Sequence, residues 1–233
     1  MTSLNVYVGF DHREVEAYEL ACYTLKKNSS IPLNISPLIQ DDLRKSLLYW
    51  REKDVRASTD FSLTRFLTAY LNNYEGWALF VDCDVLFLGD VAELLELADP
   101  KYSLMCVHHK YEPKAEEKMF GASTKNYVYP RKNWSSVMLF NCYKNKELTL
   151  NVVNNERPSY LHQMKWLKDE QIGELDKEWN FLVGEYENPD SVPMLAHYTL
   201  GTPNLVNRPD HCRNEMFDKI WFDLREEMLN VNS

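Results

Sequence analysis

Two aspartates that flank a cysteine, Asp82-Cys83-Asp84, form the most informative motif of the sequence. Apolar runs at 77–81 and 85–88 enclose this motif. In an extended chain, residues i and i+2 share a face, with their Cα atoms roughly 6–7 Å apart. Two carboxylates at the end of a buried strand repel each other and lose hydration, and a divalent cation such as Mg²⁺ or Mn²⁺ compensates both effects. The motif therefore predicts a metal site, against the alternative of an ordinary acidic turn.

Short apolar segments alternate with helical patterns along the chain, and this order predicts an α/β domain with a mainly parallel sheet. The predicted strands cover residues 5–10, 33–39, 77–81, 85–88, 102–107, 135–141 and 179–183. The predicted helices cover residues 13–27, 61–71, 91–97, 159–167 and 215–229. Ligands of such sheets bind beyond the carboxyl ends of the strands.

Three sets of polar residues lie at predicted strand ends: Asp11, the pair Asp82 and Asp84, and Asn141. One crevice is therefore expected to hold all of them. Asp11 is also expected to cap the helix that follows the first strand.

The composition of the 233 residues indicates one globular domain, because 45% are apolar, 26% are charged, and no linker or internal repeat is present. A net charge of −9 disfavours nucleic-acid binding. No run approaches the roughly 18 apolar residues of a membrane span, and residues 1–5 show no secretory signal. Five widely spaced cysteines without a C-x-x-C motif predict reduced thiols in a cytoplasmic protein. Peripheral attachment at the inner membrane is the alternative location.

Five stretches together resemble bacterial glycosyltransferases of the family 8 type. They are VGFDHRE at 8–14, STDFSLTRFL at 58–67, FVDCD at 80–84, NWSSVMLFN at 133–141 and HYTLGTP at 197–203, and together they span most of the chain. The resemblance implies a GT-A fold, with a mixed, mainly parallel central sheet flanked by helices. It implies one domain over 1–233, with a nucleotide-binding half to about residue 107 and an acceptor-side half after it that includes helix 215–229.

The resemblance also implies a reaction. A sugar would pass from a UDP-sugar donor to a hydroxyl group of a glycan or lipid-linked acceptor, with retention of configuration and with Mn²⁺ or Mg²⁺ as cofactor. Asp82, Asp84 and His197 would be the metal ligands. Residues of the implied donor site are Gly9, Phe10, Asp11, Arg13, Asp82, Cys83, Asp84, Ser135 and Gly201. For the turn at 9–11, simple turn chemistry with helix capping is the competing interpretation.

Three further residues are implied to act in catalysis. Arg65 would point to the donor sugar or to its partner carboxylate, whereas a surface ion pair is the alternative. Asp169 and Glu170 resemble an acidic station beside the donor sugar, whereas a solvated charged face is the alternative. Family members often carry a lysine shortly after the metal histidine, but this chain continues Gly-Thr-Pro-Asn at 201–204. Stabilisation of the leaving group is then expected to depend more on the metal ion, or on a cation from elsewhere such as Lys132 or Arg208.

Other interpretations stay open from the sequence alone. A haloacid-dehalogenase-like phosphatase also uses a D-x-D motif, although there the motif usually opens the fold. A sugar- or nucleotide-binding module without turnover is the non-enzymatic alternative. The polar segment 108–133 is expected to act as a lid that excludes water. Helix 215–229 is expected to pack on the core, because its acidic side would be repelled by anionic lipid. The oligomeric state is left open.

Overall fold

A computed structural model describes residues 3–52, 57–110, 112, 130–206, 208 and 210–231. Within these ranges the strands are β1 (Leu4–Gly9), β2 (Leu33–Leu38), β3 (Trp77–Val81), β4 (Val85–Phe87), β5 (Leu104–Val107), β6 (Val137–Asn141), β7 (Ile172–Leu175), β8 (Phe181–Leu182) and β9 (Leu195–His197). The α-helices are α1 (Val15–Lys27), α2 (Gln40–Lys45), α3 (Thr68–Leu71), α4 (Val91–Glu96), α5 (Leu150–Asn155), α6 (Pro158–His162) and α7 (Glu215–Val231).

The larger of two sheets has six strands in the order β2-β1-β3-β6-β5-β7. Strand β6 runs antiparallel to both of its neighbours, and all other pairings in this sheet are parallel. Five strands therefore share one direction, which confirms the predicted mixed, mainly parallel sheet. Strand β4 follows β3 directly along the chain but joins a second sheet, β4-β9-β8, in which β9 is antiparallel to β4.

The central strand β3 forms from a run of β-branched and aromatic residues that is buried from Ala78 onward. On β1, Leu4, Val6 and Val8 are buried while the residues between them are partly exposed, as expected for a strand with one fully covered face. Helix α1 packs through a buried face of Ala17, Leu20, Ala21, Thr24 and Leu25. The two sheets therefore share a core that leaves the carboxyl ends of β1 and β3 at one edge.

Several predicted elements are shorter than the sequence indicated. The helix expected over 61–71 consists of a 3₁₀ turn at Thr64–Leu67 and the four-residue α3. The helix expected over 159–167 is only α6, and Met164 two residues after it has a φ of 50°. The strand expected over 179–183 begins as a 3₁₀ turn, Lys177–Asn180. Strands β7 and β9 and helix α5 were not predicted, because each contains only two or three apolar residues.

Helix α7 packs on the core, as predicted. Phe217, Trp221 and Met228 are buried in a cluster that also contains Leu20 of α1. The Tyr198 hydroxyl donates to the backbone oxygen of Phe217 at 2.7 Å, which anchors the start of the helix. All five cysteines are free thiols, in agreement with the absence of a disulfide framework. Among the described residues, no helix combines the length and the apolar character that crossing a membrane requires.

Candidate active site

Asp82, Asp84 and His197 meet at the carboxyl end of β3. The chain turns at 82–84 from the large sheet into β4, and β4 pairs with β9, so that Val85 lies opposite His197. The backbone N–H of Tyr198 donates to the carbonyl oxygen of Asp84 at 2.8 Å and closes this junction. One ligand atom of each of the three side chains lies within 4.8 Å of the other two. The structure thus brings together the three residues that the sequence proposed as metal ligands.

The charges of this triad stabilise one another. Asp84 Oδ1 lies 3.3 Å from Nε2 of His197, whose side chain is only 2% exposed. Burial alone would lower the pKa of His197, but the negative charges of Asp84 and Asp82 outweigh it and raise that pKa. Burial would raise the pKa of Asp84, but the neighbouring His197 outweighs it and lowers that pKa. The cluster therefore holds concentrated negative charge that a cation can neutralise.

The donor set fits a divalent metal ion. Two carboxylates and one imidazole are ligands that Mn²⁺ accepts, and hard oxygen donors also suit Mg²⁺. A second cluster, Asp11 with His12 and Asp60, has similar spacing. In that cluster, however, both oxygens of Asp11 already accept hydrogen bonds from Arg13 and from the Asp60 backbone. The first cluster is therefore the better candidate for a metal site.

Arg65 lies against the acidic turn. Arg65 belongs to the 3₁₀ turn Thr64–Leu67, and its Nη1 atom lies 2.8 Å from Asp82 Oδ1. The same Nη1 group donates to the backbone oxygen of Ser135, also at 2.8 Å. The guanidinium also lies over the rings of Phe61 and Phe80, at 5.2 and 5.1 Å from their centroids. Arg65 is buried, so its pairing with Asp82 is not the surface ion pair considered above.

Asp11 organises the turn after β1. Its carboxylate is fully buried and accepts from the backbone and guanidinium N–H groups of Arg13 and from the backbone N–H of Asp60. Burial would raise the pKa of Asp11, but these hydrogen bonds outweigh it and lower that pKa. The expectation that Asp11 caps the next helix is wrong, because α1 starts four residues later and Glu14 precedes it.

A cavity of about 270 Å³ opens beside this turn. Its lining includes His12, Arg13, Gln40, Tyr49 and Asp60. The Phe61 ring packs closely against this turn only because residue 9 is glycine, since a Cβ atom at Gly9 would come within 2.4 Å of that ring. Phe10 packs edge-on against Tyr18, at 5.2 Å between ring centroids.

The other proposed donor-site residues lie around the triad. The Cys83 thiol is buried and donates to Glu14 Oε2 at 3.6 Å, so only the backbone of Cys83 remains for a ligand. Ser135 is buried and its Oγ lies 3.2 Å from His162 Nδ1. Gly201 has a φ of 101° and donates from its N–H to the Tyr198 oxygen, which forms a tight turn directly after His197.

Asn141 lies at the opposite end of β3 from the metal triad, and Asp169 and Glu170 are not members of that cluster. Asn141 pairs with Trp77 at the start of β3, because β6 runs antiparallel to β3. Asp169 and Glu170 immediately precede β7, which runs in the same direction as β3, so they lie at its amino end. Both are exposed, and Asp169 forms an ion pair with Arg131. Asn141 is therefore remote from the metal triad, whereas Asp169 contacts the turn that leads to Ser135.

The two candidate cations differ sharply. Arg208 pairs with Asp218 of α7 at 2.7 Å and also donates to the Cys212 oxygen, so its guanidinium serves the C-terminal helix. Lys132 is buried, at 6% exposure, in the turn that leads to Ser135. The flanking residues Arg131 and Asn133 both have a φ of 61°, a conformation that is costly for side chains other than glycine.

Most of the predicted lid, residues 111 and 113–129, lies outside the described residues. Trp134 directly follows the predicted lid, residues 108–133, and contacts its first residue. The Trp134 ring stacks on His108, with 3.8 Å between the ring centroids. The Trp134 indole N–H also donates to the His109 oxygen at 3.2 Å.

Two buried polar residues at the site escaped the sequence analysis: Glu14 and Asn180. Burial, together with the charges of Asp84 and Asp11, raises the pKa of Glu14 to about 8. In the sequence, Glu14 belongs to a charged run that is typical of an exposed surface. Asn180 could have been found, because it is the single polar residue in the apolar run WNFLV at 179–183.

Sequence comparison finds a close relative in Arabidopsis thaliana. The protein CDI of that plant is 46% identical to this chain, over 97% of the chain and 88% of CDI. No family model matches the sequence.

Three solved structures of glycosyltransferases resemble the fold. The glycosyltransferase GlyE of Streptococcus pneumoniae TIGR4 has a TM-score of 0.60 at 17% identity, over 99% of this chain and 63% of GlyE. This chain thus spans less than two thirds of GlyE. The galactosyltransferase LgtC, solved with donor and acceptor sugar analogs, has a TM-score of 0.60 at 10% identity over 96% of both chains. Mouse xyloside xylosyltransferase 1 has a TM-score of 0.51 at 11% identity, over 90% of this chain and all of the mouse chain. The chain therefore has the GT-A glycosyltransferase fold, and the fold of haloacid-dehalogenase-like phosphatases is excluded.

Proposed function

We propose that this chain, which belongs to the family of the Arabidopsis protein CDI and has the GT-A fold, is a metal-dependent glycosyltransferase. The observation that carries the proposal is the convergence of Asp82, Asp84 and His197 from two different sheets. Two acids held this close are costly unless they share a cation. The proposed donor is a UDP-sugar and the proposed acceptor is a hydroxyl group of a glycan or lipid-linked molecule.

Asp82, Asp84 and His197 would hold Mn²⁺ or Mg²⁺. When bound, the ion supplies positive charge that stabilises the departing diphosphate. Arg65 pairs with Asp82 and holds its carboxylate in a fixed position. We place the nucleoside beside the turn at Gly9 and Phe10, where the cavity lined by Arg13 opens.

Lys132 is our choice for the additional cation near the leaving group. Its burial in the turn that leads to Ser135 supports this role. A buried ammonium group can stabilise the negative charge that develops on the departing diphosphate, because the ammonium group already lost its hydration when the protein folded.

Retention of configuration follows from the proposed geometry of attack. Asp169 and Glu170 are exposed and precede β7, so we assign neither of them as a nucleophile and propose that the acceptor hydroxyl attacks from the side of the leaving group. The bond between the anomeric carbon and the diphosphate oxygen breaks, and a bond from the same carbon to the acceptor oxygen forms. The acceptor proton passes to the diphosphate oxygen.

A substitution in the acidic turn tests the proposal. Wild-type protein with Mn²⁺ is expected to hydrolyse a UDP-sugar slowly and to lose this activity in chelator. Asp84→Asn should also lose it, because an amide binds a divalent ion far more weakly than a carboxylate. Asp223→Asn, on the exposed face of α7, is the matched control and should keep full activity.

Calorimetry with UDP separates a transferase from a binding module. Activity that survives in chelator would contradict the metal requirement. UDP binding by the wild type without hydrolysis, and without transfer to any acceptor, would contradict turnover and indicate a binding protein.

A further inference from the structure

Asn180 connects the histidine of the metal triad to the 3₁₀ turn Trp134–Ser136, which precedes β6. It is fully buried at the end of the 3₁₀ turn Lys177–Asn180. Its Oδ1 atom lies 2.9 Å from His197 Nδ1, and its Nδ2 atom lies 2.8 Å from Ser136 Oγ. The Ser136 hydroxyl in turn lies 2.7 Å from the backbone oxygen of Asn133. These contacts form one continuous chain of hydrogen bonds.

The direction of every bond in this chain follows from its last member. The Asn133 carbonyl oxygen can only accept, so it takes the single hydroxyl proton of Ser136. Ser136 Oγ must then accept from its other neighbour, and only the amide nitrogen of Asn180 can donate to it. The Asn180 oxygen therefore faces His197, and Nδ1 of His197 carries a proton that it donates to that oxygen.

We infer that Asn180 is a positioning residue that holds His197 in the Nδ1–H tautomer and directs its Nε2 atom toward Asp84. Nε2 and Asp84 Oδ1, which lie 3.3 Å apart, are then aligned as ligands of one cation. A hydrogen bond from the second ring nitrogen commonly fixes metal-binding histidines in this way. The metal part of this inference rests on the function proposed above.

Ser136, which bonds to Asn180, also contacts Asp82 of the triad. Its backbone oxygen accepts from the Asp82 N–H at 2.9 Å, while its hydroxyl accepts from Asn180. The Asn180–Ser136 pair thus holds ligands from both sheets, His197 of β9 and Asp82 after β3. Losing Asn180 is expected to disturb the relative placement of these ligands more than it disturbs either sheet.

Two substitutions separate positioning from packing. Asn180→Leu has the same branched shape but offers neither acceptor nor donor, and loss of such a partner typically weakens metal binding by about 10–100-fold. We expect the Mn²⁺ dissociation constant, measured by electron paramagnetic resonance of free Mn²⁺, to rise by that factor. Asn180→Asp keeps an acceptor for the Nδ1 proton and should retain most of the affinity.

Asn145→Leu is the matched control. Asn145 is also fully buried, donates to the oxygens of Ser103 and Asn141, and accepts from Trp166, at the opposite end of β6. This variant should lose stability but keep the wild-type Mn²⁺ affinity. Unchanged affinity in Asn180→Leu, or an equal loss in Asn145→Leu, would overturn the inference.

Nitrogen NMR of the metal-free protein tests the tautomer without any metal. At a pH above the pKa of His197, the wild type and Asn180→Asp should show a pure Nδ1–H imidazole, and Asn180→Leu a mixture. An Nε2–H imidazole in the wild type overturns the inference even if Mn²⁺ binds. Failure of the wild type to bind Mn²⁺, with the NMR result as expected, would instead refute the proposed metal dependence and leave the role of Asn180 in orienting His197 supported.

Discussion

Replacing Arg65 by methionine removes the cation that the protein itself supplies to the acidic turn. Arg65 and Asp82 are 7% and 14% exposed, and their charged atoms lie 2.8 Å apart. Removing one partner of a buried ion pair leaves an uncompensated charge and costs about 3–5 kcal/mol. The lost hydrogen bond to the Ser135 oxygen acts in the same direction. In chelator, we expect the free energy of unfolding to fall by about 3–5 kcal/mol.

Mn²⁺ should make this deficit smaller. A ligand at 100 times its dissociation constant adds about 2.7 kcal/mol to the stability of the folded protein. Without the positive charge of Arg65, the negative charge of Asp82 attracts the metal ion more strongly. The variant should therefore gain more stability from Mn²⁺ than the wild type gains.

Urea denaturation with and without Mn²⁺ measures both effects. Arg208→Met is the matched control, because Arg208 forms an equally close pair with Asp218, at 2.7 Å, with 5% and 21% exposure. Its deficit should be similar and should not respond to Mn²⁺. A deficit of Arg65→Met below about 1 kcal/mol, typical of a surface pair, would refute the reasoning. An equal response of both variants to Mn²⁺ would refute the metal site.

Two further predictions concern the residues behind the turn. Gly9→Ala should cost about 1–3 kcal/mol in urea denaturation, because its Cβ would come within 2.4 Å of the rigid Phe61 ring. Gly89→Ala makes an equally close contact, but with the mobile end of Met194, so a larger loss there would contradict the argument. Glu14 holds its proton more tightly in the folded state than in the unfolded state, so wild-type stability should fall as the pH rises from 4.5 to about 8. Glu14→Gln stays neutral and should lack this fall; parallel pH profiles of the two proteins would contradict the buried position of Glu14.

The sequence was most informative where local pattern decides structure. The run at 77–81 predicted a strand with the same bounds as β3, because five consecutive apolar, β-branched or aromatic residues have few other stable arrangements. The long helix at the C-terminus was also predicted within two residues, since its apolar residues recur with the helical period. In both segments the determining contacts lie within a few residues of one another.

Strand direction could not be predicted in the same way. Asn141 was assigned to the crevice because it ends a strand, but β6 runs antiparallel and places it beside Trp77. Asp169 and Glu170 likewise precede rather than follow a strand, β7. Apolar periodicity is the same in both directions along a strand, so it carries no information on which end reaches the site.

The sequence by itself determined that two carboxylates follow a buried strand and that a histidine follows another apolar run far along the chain. Only the tertiary structure decided that these residues meet, because pairing of β4 with β9 depends on contacts between distant segments. It also decided that Arg65 faces Asp82 and that Asn180 faces His197. A buried charge or amide group needs a hydrogen-bonding or charged partner, and that partner can come from any segment that packs against it. The positions of the residues in the sequence therefore do not identify the partner.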